Sequence, residues 1–240
     1  MSLSLIYNSL AIAPRIRQQF IAVGGVGPYT YSVDIGGAGG TIDSSGLYTA
    51  PSVTGADVVR VTDSTSATFA VSISILSAME LFMNVLQTEM GLASGRIYQW
   101  DQKLFSPSDN GLFIAVGIRS CKPFSNITAY DGAGSGLNQV QSTNFRAELS
   151  VDAISRGTAA RDRKEEIIMA FNSTYARQQM ELNSFYIAPL SSSFLNLSEI
   201  DGAAIPYRFS LSVGLQYSVT KTTAVQYFDT FAEPSVDVDP

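Results

Sequence analysis

The feature that most constrains the fold is a strict alternation of apolar side chains late in the chain. Apolar residues occupy every second position at Phe209, Leu211, Val213, Leu215, Tyr217 and Val219. Successive side chains of a strand point to opposite faces of a sheet, so this run predicts a strand with one buried face. The polar segment 220–223 follows, and a second run then contains Val225, Tyr227 and Phe231. Two such runs with a short polar break between them predict a long closing hairpin.

The amount of charge on the chain bears on its state of assembly. Charged residues make up 15% of the 240 residues, and apolar residues make up 45%. Soluble domains average about 25% charged residues, so we expect this chain to cover apolar surface against other copies of itself. The net charge of −6 argues against tight binding to nucleic acid. Such binding needs clustered lysine and arginine side chains that displace counterions from the phosphates.

Three further features bear on cellular location. Cys121 is the single cysteine, so no internal disulfide is possible and secretion gains no support. The apolar stretch at the start is broken by Asn8 and Pro14, which is not the pattern of a signal peptide. No apolar run approaches the roughly 20 residues that cross a bilayer. We therefore expect a soluble protein that is made in a cytoplasm and has no membrane partner.

The first part of the chain, residues 1–77, has the pattern of an all-β domain. Short apolar runs alternate with glycine-rich breaks, which supply the positive φ angles of tight turns. The predicted strands are 3–7, 20–23, 29–33, 58–61 and 69–75. In the last of these the odd positions are large and apolar, and the even positions are small. Short strands spaced in this way predict a small β-sandwich.

Four segments of this first part carry a resemblance to a known family. They are Gly-Gly-Val-Gly-Pro-Tyr at 24–29, Gly-Gly-Thr-Ile-Asp at 39–43, Gly-Leu-Tyr-Thr-Ala-Pro at 46–51 and Val-Arg-Val-Thr-Asp at 59–63. Together they resemble the bacterial immunoglobulin-like domains of cell surfaces and phage virions. The resemblance covers nearly all of residues 1–77. It implies a sandwich used for spacing, adhesion or decoration, without chemistry of its own.

The second part, residues 78–240, mixes helices and strands. Ser77 is a suitable N-cap, and the apolar spacing from Ala78 to Leu92 predicts a first helix. The alternating runs 97–103, 112–118 and 145–151 predict strands, and the segment 158–183 predicts a second helix. Two helices with the closing hairpin on one mixed or antiparallel sheet define an α+β domain.

This second part resembles the tail terminator, or neck, proteins of tailed phages over roughly its whole length. The features that carry the resemblance are the first helix, the start of the second helix at 160–164, the segment 196–202 and the hairpin ending at Tyr227-Phe228-Asp229. Members of that family form six-membered rings that cap the tail tube and join the tail to the head connector. The immunoglobulin-like part does not belong to the common terminator.

The residues that most enzymes use are missing. Without histidine, Ser-His-Asp and Cys-His nucleophile arrangements are excluded, as are most catalytic zinc sites. Cys121 follows an apolar strand, and a packed thiol is the ordinary interpretation. Asp162, Glu165 and Glu166 could be read as paired carboxylates for acid/base chemistry. Their place in the first turn of a helix favours stabilisation of the helix dipole instead. We expect no enzyme activity and no cofactor or metal.

The leading hypothesis is therefore a virion structural protein, assembled in the host cytoplasm and located at the tail neck. Its expected partners are other copies in a hexameric ring or collar, the tail tube, a sheath where one exists, and the connector proteins of head–tail joining. Genomic DNA would pass without sequence-specific binding, because an acidic lumen repels phosphate. The alternative is an adhesion or decoration protein whose immunoglobulin-like part binds carbohydrate or a host surface. Exposed aromatics in the sandwich loops would favour it, but the available Tyr29, Tyr31 and Tyr48 are better explained as core or turn residues.

Candidate contact residues follow from the strand faces. Glu148 and Asp152 lie on the polar face opposite Leu149 and Val151, which makes them candidates for the lumen or for a subunit interface. On the closing hairpin we select Lys221, Tyr227 and Asp229 as interface candidates. The acidic segment 233–240 is expected to be a solvated end, or alternatively an extension that lies over a partner subunit.

Overall fold

The computed structural model describes residues 2–6, 9–100, 109–131, 137–189, 193–198 and 207–225. The described chain is rich in β-structure. Its first nine strands all lie before residue 76. They are β1 Ser4–Leu5, β2 Ser9–Ile12, β3 Arg17–Gln19, β4 Ala22–Val23, β5 Thr30–Val33, β6 Thr41–Ile42, β7 Leu47–Thr49, β8 Gly55–Thr62 and β9 Thr68–Ile75.

These strands form two main sheets around one core. One sheet has the order β2-β9-β8-β5, the other has the order β3-β7-β6, and β1 pairs with β4. The predicted alternation of β9 is confirmed, because Val71, Ile73 and Ile75 are fully buried and the even positions are exposed. Their side chains share a core with Tyr48 of β7 and with Phe20, the residue after β3, both from the region of the second sheet. Burial of large apolar side chains from both sheets is what holds them together.

A buried carboxylate ties this core to a glycine turn. Asp57 is 1% exposed and accepts a hydrogen bond from the Tyr48 hydroxyl at 2.5 Å. The backbone amides of Gly39 and Gly40 also donate to it, at 3.2 and 2.9 Å. A Cβ at Gly40 would overlap both the Tyr48 hydroxyl and the Asp57 carboxylate, so this turn accepts only glycine there. Burial would raise the pKa of Asp57, but the hydrogen bonds outweigh burial and the pKa lies below its ordinary value.

The first helix, α1, spans Ala78–Glu89 and begins where the sequence predicts. Ser77 accepts a hydrogen bond from the Glu80 amide at 3.3 Å, and the Glu80 carboxylate accepts one from the Ser77 amide at 2.7 Å. This reciprocal pair satisfies two backbone donors that a helix start would otherwise leave free. The buried face of the helix is formed by Leu81, Phe82, Val85 and Leu86.

The segment predicted as one second helix is divided into three. They are α2 Ala159–Arg163, α3 Glu165–Phe171 and α4 Thr174–Asn183. The single helix at 158–183 is therefore wrong, and the described chain has four helices rather than two. The clearest break has a local cause. The Ser173 side chain accepts a hydrogen bond from the Ala176 amide and so starts a new helix, which is the usual role of serine near a helix end.

The second group of strands forms one sheet. They are β10 Ile97–Gln99, β11 Phe113–Asp131, β12 Leu137–Ser155, β13 Tyr186–Pro189, β14 Leu195–Asn196 and β15 Tyr207–Val225. The order is β10-β11-β12-β15-β13, with β14 also on β15, and β10 alone is parallel to its neighbour. The sheet is therefore mixed. The helices cover one of its faces, where Ile114, Leu149 and Leu211 lie in a second core.

The closing hairpin predicted at 220–223 is wrong. β15 is one continuous strand that runs through Lys221 and stays in register with β12 from Tyr207 to Val225. The physical reason lies in which positions, odd or even, the apolar residues occupy. The apolar positions before and after 220–223 are all odd, so the two-residue repeat continues, and threonine favours extended backbone over a turn. The second strand of the predicted hairpin, with Tyr227 and Phe231, lies outside the described residues.

The two cores touch at the junction between their sheets and helices. The Ala13 amide donates a hydrogen bond to Asn183 Oδ1 at 2.7 Å, and Asn183 is buried. Leu182 at the end of α4 packs against the first core, while Ala11 and Ala13 pack against the second. The contacts join the end of β2 to the end of α4 and form the floor of a groove described below.

The Asp57 contacts predict a specific pH dependence of stability. A carboxylate with a depressed pKa in the folded state stabilises the protein fully above its unfolded pKa of about 4, and this stabilisation is lost as the pH falls through the lower folded-state value. Replacing Tyr48 with Phe removes one of the hydrogen bonds and should cost about 2 kcal/mol at pH 7. Urea unfolding of both proteins from pH 7 to pH 3 should show the difference shrinking at the acid end. A constant difference would contradict this account.

The α1 cap gives a second prediction. Ser77→Ala removes the side-chain acceptor and should lower the free energy of unfolding by about 1 kcal/mol. Ser72→Ala, on the exposed face of β9, is the matched control and should change it by less than about 0.5 kcal/mol. Thermal and urea unfolding measure both. Equal effects of the two substitutions would mean that the cap contributes nothing.

Candidate assembly surface

The three central strands extend well past the core. β11, β12 and β15 each contain 19 residues, which corresponds to about 60 Å at the ordinary rise of a strand. None of the residues in 117–131, 137–146 and 216–225 is buried. We call these three segments the arm. It is a three-stranded antiparallel ribbon with β12 in the middle, and it continues the sheet beyond the helices.

The arm carries large apolar side chains in contact with solvent. Ile118, Phe124, Ile127, Tyr130 and Val219 are 50 to 62% exposed. Single exposed apolar residues are common on any protein, but here five lie on one ribbon that has no helix over it. The arm also has positive charge on a negatively charged chain, from Arg119, Lys122, Arg146 and Lys221. An exposed apolar ribbon of this kind is a candidate surface for contact with another protein chain.

The two edges of the arm differ. On β11 the register with β12 shifts between Ile118 and Ser120 and again between Pro123 and Ser125. Bulges and proline, both present on β11, are features by which natural sheets prevent an edge from pairing with another strand. β15 has none of these shifts along its whole length. The β11 edge is therefore protected, whereas the β15 edge is regular.

At the base of the arm, Tyr217 fixes the strands to one another. Its ring stacks on Phe145 with centroids 5.7 Å apart, and its hydroxyl lies 3.5 Å from the Cys121 sulfur. Burial, and then the contact with Cys121, raises the pKa of Tyr217 to about 12. The phenol therefore keeps its proton at neutral pH and serves packing and hydrogen bonding.

A buried ion pair lies on the face of the sheet opposite the helices. Arg208 donates to Asp152 Oδ2 through Nη2 at 2.6 Å and through Nε at 3.1 Å, and Ser150 donates to Oδ1 at 3.1 Å. The Asp152 side chain is 4% exposed and the Arg208 side chain 28%. The guanidinium also lies 4.8 Å from the ring centroid of Trp100. This pair connects β12, β15 and the segment after β10.

The structure describes three of the five residues selected from the sequence. Glu148 and Asp152 do share the face opposite the core, as the alternation predicts. Asp152 is buried and its carboxylate is bound by Arg208 of the same chain, so it is not free to line a lumen; the sequence alone gave no signal for this partner. Lys221 is exposed on β15, opposite Gln141. Tyr227 and Asp229 lie outside the described residues.

The carboxylates considered for acid/base chemistry are all paired with cations. Asp162 bonds Arg161, Glu165 bonds Lys164, and Glu166 bonds Arg163. Hydrogen bonds from Thr158 and then Arg161 lower the pKa of Asp162, and the bond from Lys164 lowers that of Glu165.

The described residues contain no group of three or more His, Cys, Asp and Glu side chains placed to hold a metal ion. None of the helices in the described ranges has the length and apolar character needed to cross a membrane.

Comparisons with known proteins add little. No protein family and no curated protein matches the sequence. Among solved structures, the chain is similar to protocadherin gamma B2 extracellular cadherin domains 1–5, at 10% identity over 93% of this chain and 38% of that one, with a TM-score of 0.24. The same protein's domains 3–6 match at 9% identity over 93% and 46%, with a TM-score of 0.25. Both matched chains are more than twice the aligned length, and scores this low support no conclusion about fold or function.

The ion pair generates a stability prediction. Asp152→Ala leaves the Arg208 guanidinium without its carboxylate, and should destabilise the fold by roughly 2 kcal/mol. A double-mutant cycle with Arg208→Ala should give a coupling energy of about 1–2 kcal/mol. The exposed pair Arg161–Asp162, with both side chains more than half exposed, is the control and should couple by less than about 0.5 kcal/mol. Equal coupling in the two cycles would argue against a structural role for Asp152.

Proposed function

We propose that this protein is a structural subunit of a phage virion, a ring-forming neck or tail-terminator protein. In this proposal it caps the tail tube and joins the tail to the head connector. The observation that carries the proposal is the arm. A lone molecule leaves its five large apolar side chains and its regular strand edge in water, whereas copies arranged in a ring cover them.

The domain organisation belongs to the same proposal. Residues 1–77 would be an immunoglobulin-like domain on the outside of the ring, and residues 78–240 an α+β tail-terminator-like domain. Two separate hydrophobic cores, one before Ser77 and one after it, support this division. The resemblance of segments 24–29, 46–51 and 59–63 to immunoglobulin-like domains supports the first assignment.

The passage of DNA fits the electrostatics of the chain. A net charge of −6 gives no field that would retain phosphate in a channel. Glu148 stays a candidate for the lumen, since it is half-buried on the face away from the helices. In the proposal the ring is a hexamer that contacts only other virion proteins, and it is assembled in the host cytoplasm.

The adhesion alternative has less support from the side chains. A carbohydrate site needs exposed aromatic rings, but Tyr48 is fully buried. The Tyr29 hydroxyl donates to the Gly24 carbonyl at 2.7 Å, and the Tyr31 hydroxyl accepts from the Ala22 amide at 3.2 Å. All three tyrosines are thus used within the first core.

The ring predicts a definite assembly behaviour. The purified 25.7 kDa chain should appear as closed rings in negative-stain images, and mass photometry should give a mass near that of six copies. The double substitution Ile127→Asp and Tyr130→Asp places charge on the arm and should reduce the ring fraction at least tenfold. Ile35→Asp changes a fully exposed isoleucine of the first β part and should leave assembly unchanged. A chain that stays monomeric at all concentrations would refute the proposal.

A further inference from the structure

The outer edge of β15 is divided into an occupied and an open part. β14 pairs with residues 209–210, and β13 pairs with residues 213–216. From Tyr217 to Val225, β15 pairs with β12 on one side, and no other strand of the described chain pairs with the opposite side. A regular edge of this length presents a row of backbone donors and acceptors that can pair with an added strand.

A groove follows the start of this open edge. It has a volume of about 350 Å³, and residues 217–220 line one wall. Because these four residues are consecutive and belong to both faces of the sheet, the groove lies along the edge rather than on a face. The segment 13–16 lines it from the first β part, and Leu81 of α1 and Phe185, the residue before β13, contribute large apolar side chains. An extended chain placed here would continue the line of β13.

The charges around the groove have one sign. No aspartate or glutamate is among the residues that line it. The Arg15 guanidinium donates to Thr222 Oγ1 at 3.3 Å, which places it beside the edge strand just beyond the groove wall. Lys221, the residue before Thr222, is exposed and by the alternation of β15 lies on the other face of the same edge strand. The groove and its continuation therefore suit an extended segment that carries both apolar and acidic side chains.

Residues 226–240 of this chain have that composition. Tyr227, Phe228 and Phe231 come first, and Asp229, Glu233, Asp237 and Asp239 supply four negative charges. The segment follows Val225, which pairs with Leu137 at the far end of the arm. To return to its own edge directly after Val225 the chain would need a tight turn, but Gln-Tyr-Phe at 226–228 has no Gly, Asn, Asp or Pro to favour one, and Asp229 is the first such residue.

We infer that the open edge of β15 accepts residues 226–240 of a second copy as an added strand. Fully extended, that segment spans about 50 Å, enough to cover the edge from its far end to the groove. The donor and acceptor surfaces are different, so copies that pass the segment on in one direction make a head-to-tail contact, which repeats from copy to copy until the ring closes. The inference deepens the proposed function, because it names the contact that joins one subunit to the next.

The test uses the full chain, a variant lacking residues 226–240 and a fluorescent peptide with the sequence 225–240. Circular dichroism and melting temperature verify that the shortened variant is folded. It should be monomeric, and it should bind the peptide with micromolar affinity in fluorescence anisotropy. Arg15→Glu with Lys221→Glu should weaken that binding at least tenfold. Lys122→Glu, on the protected β11 edge, is the matched control and should change it less than twofold.

The outcomes separate the two proposals. Rings that persist without residues 226–240, or peptide binding that is unaffected at Arg15 and Lys221, would overturn the strand exchange and leave the ring intact. The segment would return to its own edge if the full chain is monomeric and does not bind the peptide, while the shortened chain binds it. That result would refute the exchange and the ring together.

In the 240-residue chain, Arg15→Glu with Lys221→Glu provides an independent test. This variant keeps the segment and alters only its binding surface, and it should lose rings to the same degree as the deletion. If it assembles like the parent chain, the acidic segment is not held at this edge.

Discussion

The structure depends on the central position of β12 between two equally long antiparallel partners. Every residue from Leu137 to Ser155 has a register partner on β15, and only two register shifts interrupt its pairing with β11. A strand paired on both sides satisfies its backbone donors and acceptors without help from a core. For this reason the ribbon stays extended beyond the part of the sheet that the helices cover. The arm, its open edge and its exposed apolar side chains all follow from that pairing.

The core end of the same sheet is held by different forces. There Leu149, Val151 and Leu211 are buried under the helices, while the other face carries the Asp152–Arg208 pair and the small cluster around Tyr98 and Phe113. A paired charge buried beside apolar side chains is costly to separate and gives the strands a single alignment. The sheet is therefore packed and ion-paired at one end and exposed at the other.

Local patterns in the sequence predicted much of this arrangement. The alternation in 69–75 and 209–215 identified buried strand faces, whereas Tyr217 is half-buried and Val219, in the same repeat, is exposed on the arm. Ser77 with Glu80 marked the start of α1, since capping depends on residues only three positions apart. The same reasoning failed where two interpretations were locally possible. Segment 220–223 resembled a turn because it is polar, yet in an arm that is solvated on both faces a polar strand needs no turn. The helix from 158 to 183 was interrupted by the cap at Ser173.

The sequence by itself determined the β-rich character of the chain, the faces of its strands, the first helix start and the absence of histidine chemistry, because each depends on residue type or short-range spacing. Only the tertiary structure decided that β15 passes through Lys221, that Asp152 is bound by Arg208 across 56 residues of sequence, and that a groove lies between β15 and residues 13–16. Those features join distant segments, and no local periodicity encodes which strand of a sheet lies beside which.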